Sequence, residues 1–203
     1  MRQGRRSTYW LTVCAMLLTI MLILGWVESS LPSLGIPGIK LGLSNGVLVF
    51  AVYMLDIPTA YILMLLKVTL SGLLFSGPSA MIYALAGGTL SLTCMCVLSR
   101  VRGLHPVIVS MAGGVMHNVG QVAMAMVVLH SPRQMLYYLA ILMLVGLLCG
   151  ALTGIAAHLT MGHMKHISWK RLVPAGRSSP VWFLGAGLFI VAVIYAVFSM
   201  KPN

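Results

Sequence analysis

The polar positions of this chain fall in short clusters between long uncharged runs, and several runs have the length needed to cross a membrane. Residues 7–27 carry no charge between Arg6 and Glu28. Basic Arg2, Arg5 and Arg6 stand in front, as in a signal peptide, but the stretch is long for one and no A-x-A site closes it. It is read as a first span. A Pro/Gly-rich segment follows, S-S-L-P-S-L-G-I-P-G-I-K-L-G-L-S-N (29–45), in which Pro32, Gly35, Pro37 and Gly38 exclude a continuous helix. Residues 41–55 form a short apolar run, closed by a turn at Asp56-Ile57-Pro58, where Pro58 suits the first turn of a helix. The third run, 58–75, contains Lys67 and stops at Ser76-Gly77-Pro78. Further runs cover 80–98, 106–129 and 135–158. A basic loop with Lys165, Lys170, Arg171 and Arg177 leads to a last run at 180–200.

This pattern predicts an all-α fold, a polytopic transmembrane helical bundle. Residues 1–177 form a six-span core with a Pro/Gly-rich outer loop at 28–45, and residues 178–203 add a seventh, C-terminal transmembrane helix. The shortest run, 41–55, rises roughly 22 Å as a helix, less than the roughly 30 Å bilayer core. Charge placement tests it. If it crosses and the N-terminus is cytoplasmic, the inner side holds Arg2, Arg5, Arg6, Arg100, Arg102, Lys165, Lys170, Arg171 and Arg177, against Lys40, Arg133 and Lys201 outside. If it does not cross, everything downstream flips and the positive-inside bias is lost. The crossing arrangement is therefore expected, with the irregular lead-in dipping back into the membrane. Irregular backbone at that depth must be buried in protein or line a cavity.

Composition sharpens this reading. The 203 residues hold 13 Lys+Arg and 2 Asp+Glu, with 60% hydrophobic and 7% charged residues. A soluble domain carries about 25% charged residues, so an all-water fold is excluded. The basic residues punctuate apolar runs instead of decorating a soluble face, so no nucleic-acid partner is expected. Two lone acids cannot build a magnesium-binding carboxylate cluster, and no phosphate-binding G-x-x-x-x-G-K-[ST] loop is present. The chain is not expected to be an enzyme, and no cofactor is expected. Any energised work draws on a gradient or a partner. Cys14, Cys94, Cys96 and Cys149 lie inside apolar runs with no disulfide or zinc pattern. His158, His163 and His166 sit among lysines without an acid or thiol, so no metal is expected.

Polar groups inside spans are costly, which makes them site candidates. Lys67 lies mid-run. The fifth run carries G-G-V-M-H-N-V-G-Q (113–121), where His117 and Gln121 share a helix face beside Asn118. Such residues also serve as ordinary interhelical glue. Lys67 and His117 each lie about ten residues from the inner ends of their spans, hence near mid-bilayer. Glu28 ends the first span on the outer side, and Lys40 and Asn45 begin the second. Glu28, Lys40, Asn45, Lys67, His117, Asn118 and Gln121 are thus expected to converge on a substrate-binding chamber in the outer half. Its positive balance favours a ligand with an anionic part. The competing expectation is a structural Glu28–Lys67 ion pair. Small-residue stripes at Gly146/Gly150/Gly154 and Ala80/Ala84/Gly88 predict close helix packing, within the bundle or against a partner.

Three stretches carry a resemblance: W-V-E-S-S-L-P…G-I-P-G-I-K-L-G-L-S-N (26–45), L-L-K-V-T-L-S-G-L-L-F-S-G (65–77) and H-N-V-G-Q (117–121). Across roughly residues 10–165 the chain resembles the bacterial membrane family of Gx transporters, also known as heptaprenyl diphosphate synthase component I. Family members usually carry arginine where this chain has Lys67, so the positive charge is kept without bidentate anion recognition. The resemblance implies a core like the substrate-binding S-components of energy-coupling-factor transporters. Such proteins capture a solute from outside and work with a partner transmembrane subunit and ATPases. The synthase name implies, alternatively, a non-catalytic membrane accessory of a soluble prenyl synthase. The expected surroundings are the lipid bilayer of a bacterial cytoplasmic membrane and a small-molecule solute.

Overall fold

A computed structural model describes residues 2–30, 40–130 and 132–164. The expected loop residues 31–39, the basic loop from Lys165 with His166, and the expected C-terminal helix at 178–203 lie outside the described residues.

The described chain is helical: α1 (Arg2–Ser30), α2 (Asn45–Met54), α3 (Ile57–Ser71), a π turn (Gly72–Ser76), α4 (Gly77–Leu98), α5 (Pro106–Leu129) and α6 (Pro132–His163). Sequence punctuation explains most boundaries. Proline occupies the first turn of α3, α4 and α5, where its missing N–H costs nothing. His105 caps α5, its Nδ1 accepting from the Val107 N–H at 3.3 Å. His130, in the left-handed region, ends it. Threonine hydroxyls inside helices bond carbonyls one turn back, as Thr89 does to Leu85 at 2.8 Å, so they add no unmet polar group.

The helix count departs from expectation. Residues expected to form separate third and fourth spans make one unbroken helical run, Ile57–Leu98, leaving five helical runs among the described residues. Four helices are long and apolar enough to cross a membrane: Thr8–Ser30, Ile57–Leu98, Pro106–Leu129 and Met135–His163. Among the described residues five helical runs stand where six spans were expected, and the expected seventh lies outside them. The reason lies in how Ser76-Gly77-Pro78 turns the chain. Gly77 takes φ +81, open to glycine alone at low cost, and the π turn keeps the backbone hydrogen-bonded up to it. The run nevertheless doubles back. Tyr61 Oη lies 2.8 Å from Thr93 Oγ1, whereas a straight helix would separate positions 32 residues apart by about 48 Å. The short run differs too. α2 spans 10 residues, a rise of about 15 Å, so its helix covers only half of a bilayer core.

α5 packs between α4 and α6 along a seam of small residues. A Cβ on Gly114 would run into the Gly146 carbonyl oxygen, and one on Gly150 would lie 2.7 Å from Ser110 O. The Gly146/Gly150/Gly154 stripe is thus spent inside the bundle. So is the second stripe, with Ala80 and Ala84 buried and Gly88 against Met64. Large apolar side chains of α1 and α6, among them Leu11, Met16, Leu144 and Leu152, face outward. In water such a surface would be untenable; against lipid it is the ordinary outside of a multi-pass membrane protein.

Candidate functional site

The polar side chains left inside this apolar bundle gather around residues 40–44, the non-helical lead-in to α2. Glu28, Lys40, Ser44, Asn45, Lys67, His117, Asn118 and Gln121 are all buried. The lead-in is tied to three elements. The Lys40 backbone N–H donates to Gln121 Oε1 of α5 at 3.3 Å. The Lys40 ammonium donates to Ser76 Oγ of the π turn at 2.5 Å and stands 5.2 Å from the centre of the Phe75 ring. The Leu43 N–H donates to Glu28 Oε1 of α1. Gly42, at φ +83, makes the bend possible, and a Cβ there would lie 2.8 Å from Asn45 Nδ2 and 3.0 Å from His117 Cδ2.

The remaining members close in from the helices. Lys67 reaches α1 where Gly25 has no side chain, since a Cβ there would lie 3.7 Å from Lys67 Cε. α4 does the same for α5, because a Cβ on Gly87 would lie 2.7 Å from Gln121 Cγ and 3.0 Å from His117 Nδ1. Asn118 turns elsewhere. Its Nδ2 donates to Leu142 O of α6 at 2.6 Å, which makes it a tie across the α5–α6 seam. Of the seven candidates, six lie in or around the lead-in, while Asn118 is tied to α6 through Nδ2 and keeps a buried Oδ1 without a hydrogen-bond partner among the described residues. Sequence reasoning did not assign a site role to Phe75, Ser76, Gly42 or Gly87, nor to Ser29, whose Oγ lies 3.3 Å from Ser76 Oγ. Ser76 and Phe75 lie in the π turn, and π turns concentrate at functional sites, but nothing in a run of L-L-F-S announces one.

The cluster is not internally satisfied. Glu28 Oε2, Ser44 Oγ, Asn45 Nδ2 and Gln121 Nε2 are buried without a hydrogen-bond partner among the described residues. Lys67 is 4% exposed and lies in the field of Glu28, the single carboxylate that attracts both Lys67 and Lys40. Lys40, outside the helices, is pulled down to about 8 by burial and then by the nearby Lys67 ammonium, with Glu28 opposing. Two ammonium groups against one carboxylate leave an excess positive charge in a low-dielectric setting. A buried charge without a partner costs several kcal/mol, so the arrangement is suited to a group that brings negative charge and donors. α2 begins here, and its positive dipole end adds in the same sense. A separate unpartnered spot, Asp56 and Thr59, marks the α2–α3 turn. His158 stacks on His105, ring centres 4.3 Å apart.

No curated protein and no solved structure matches the chain. The family model for heptaprenyl diphosphate synthase component I matches residues 17–160, a span that contains every residue of the cluster. The chain is a multi-pass membrane protein belonging to the heptaprenyl diphosphate synthase component I family.

Proposed function

We propose that this protein is a non-catalytic solute-binding membrane protein that captures a small anionic or amphipathic molecule from the outer side of a bacterial cytoplasmic membrane. The observation that carries the reading is the pair of buried lysines, Lys40 and Lys67, sharing the one carboxylate of Glu28, with Glu28 Oε2 and Gln121 Nε2 left without a hydrogen-bond partner among the described residues. An anion would lie between the two ammonium groups. A donor on the ligand would meet Glu28 Oε2, an acceptor would meet Gln121 Nε2 and Asn45 Nδ2, and His117 would wall the site. The lead-in 40–44 would act as the outer gate, since its ties to Glu28, Ser76 and Gln121 must loosen to admit a ligand. The basic residues favour a cytoplasmic N-terminus. Glu28 then lies near the outer end of α1, so loading comes from outside.

The test uses purified protein in lipid nanodiscs and inorganic diphosphate as probe. Diphosphate is expected to raise the melting temperature of the wild type and not that of Lys67→Met. Equal stabilisation of both, or of neither, overturns the site. Family membership favours a second reading, a membrane accessory of a soluble prenyl diphosphate synthase. Co-purification separates the two readings: recovery of a soluble synthase favours the accessory role, and recovery of a transmembrane–ATPase module favours transport.

A further inference from the structure

The polar cluster has an apolar neighbour. α1, α2 and α6 enclose a groove of about 530 Å³, within the size range of small-molecule sites. Val13, Ile20 and Leu24 form one wall, Ala156 the other, and Val47 of α2 the floor. Its two threonines spend their hydroxyls inside α6, Thr153 on Cys149 O at 2.9 Å and Thr160 on Ala156 O at 2.8 Å. The groove therefore offers a ligand almost entirely apolar surface.

Groove and cluster share a border. Leu43 borders the groove, and its backbone N–H holds Glu28. Leu24 borders it one helical turn before Glu28. The next residue, Gly25, is where the Lys67 stem lies against α1. Gly46 borders the groove beside Asn45. The apolar slot thus runs up to Leu24 and Leu43, and Glu28, with the two lysines it attracts, lies directly behind them; together they match a molecule with an anionic head and a hydrocarbon tail.

We propose that the ligand is a single-chain amphiphile whose anionic head lies between Lys40 and Lys67 and whose chain occupies the α1–α2–α6 groove. This rests on the reading of the cluster as an anion site.

The test titrates the full-length protein, in phosphatidylcholine nanodiscs, with inorganic phosphate and with alkyl phosphates from butyl to dodecyl. Each methylene entering the groove is expected to tighten binding about fourfold. Longer chains also partition more into the disc, so the decisive readout is the ratio of dodecyl phosphate to inorganic phosphate affinity in groove-filling variants. Ala156 and Ile20 are exposed on opposite walls, so Ala156→Trp and Ile20→Trp fill the groove without entering the core. Both are expected to lower that ratio by about tenfold or more. A ratio unchanged in both variants overturns the tail site and leaves the anion site standing. Phosphate affinity that ignores Lys67→Met removes the anion site itself. Displacement of dodecyl phosphate by enriching the disc in phosphatidylglycerol overturns the single-chain assignment in favour of the bilayer's own lipid.

Discussion

The α4–α5–α6 half of the bundle and the α1–α2 half both place glycines beside buried polar side chains, to opposite effect. Along α5 the glycines bring backbones together, Gly114 onto Gly146 and Gly150 onto Ser110, and Asn118 crosses the seam to a carbonyl. Around the lead-in to α2, glycines make room for side chains: Gly25 for Lys67, and Gly42 for His117 and Asn45. One half spends its small residues on contact, and the other spends them on seating charged and polar side chains whose hydrogen bonds are only partly met. The contrast separates packing polarity from binding polarity more sharply than residue type can.

The largest expected effect breaks the packed half. Gly114→Val drives a branched side chain into the α6 backbone, which cannot retreat. It should cost about 3 kcal/mol or more, read as loss of monodisperse protein on size exclusion in detergent. Next, in the charged half, Lys67→Met should do the reverse in ligand-free protein. Removing one of two buried ammonium groups that share a single carboxylate is expected to raise the melting temperature, while anion binding is lost. Glu28→Gln should instead lower the melting temperature, because both lysines then lack a counter-charge. A drop in Lys67→Met stability would mean that the ammonium is satisfied, and the comparison fails.

Asn118→Ala is expected to cost about 1–2 kcal/mol through the lost tie to Leu142 O, with anion affinity unchanged. A selective loss of binding would move Asn118 back into the site. The smallest effect concerns pH. Lys40 is held near 8, and only its protonated form attracts an anion. Affinity should therefore be full below about pH 8 and fall a few-fold as pH rises through it. In Lys40→Arg the guanidinium stays charged, so the fall should flatten. Identical profiles for the two proteins would remove Lys40 from ligand contact.

Long uncharged runs identify membrane-crossing helices because burial in lipid depends on local composition, and an ionisable residue inside such a run stands out because its cost is local too. That much was legible at Lys67, at His117 and Gln121, and at Glu28 and Lys40 beside the Pro/Gly-rich segment. Tertiary structure decided the rest. It turned 57–98 back on itself through a π turn and Gly77, shortened α2 to a half-length helix, and brought Ser76 and Phe75 to Lys40. It also rotated Asn118 toward α6 while its neighbour His117 faces the lead-in. Adjacent helical positions point about 100° apart, and which direction meets a carbonyl, a charge or lipid depends on which helix lies there. Hydropathy and motif spacing carry no record of that neighbour, so the sequence by itself marked costly residues, and only the packing of helices distant in the chain sorted them into those with partners and those without.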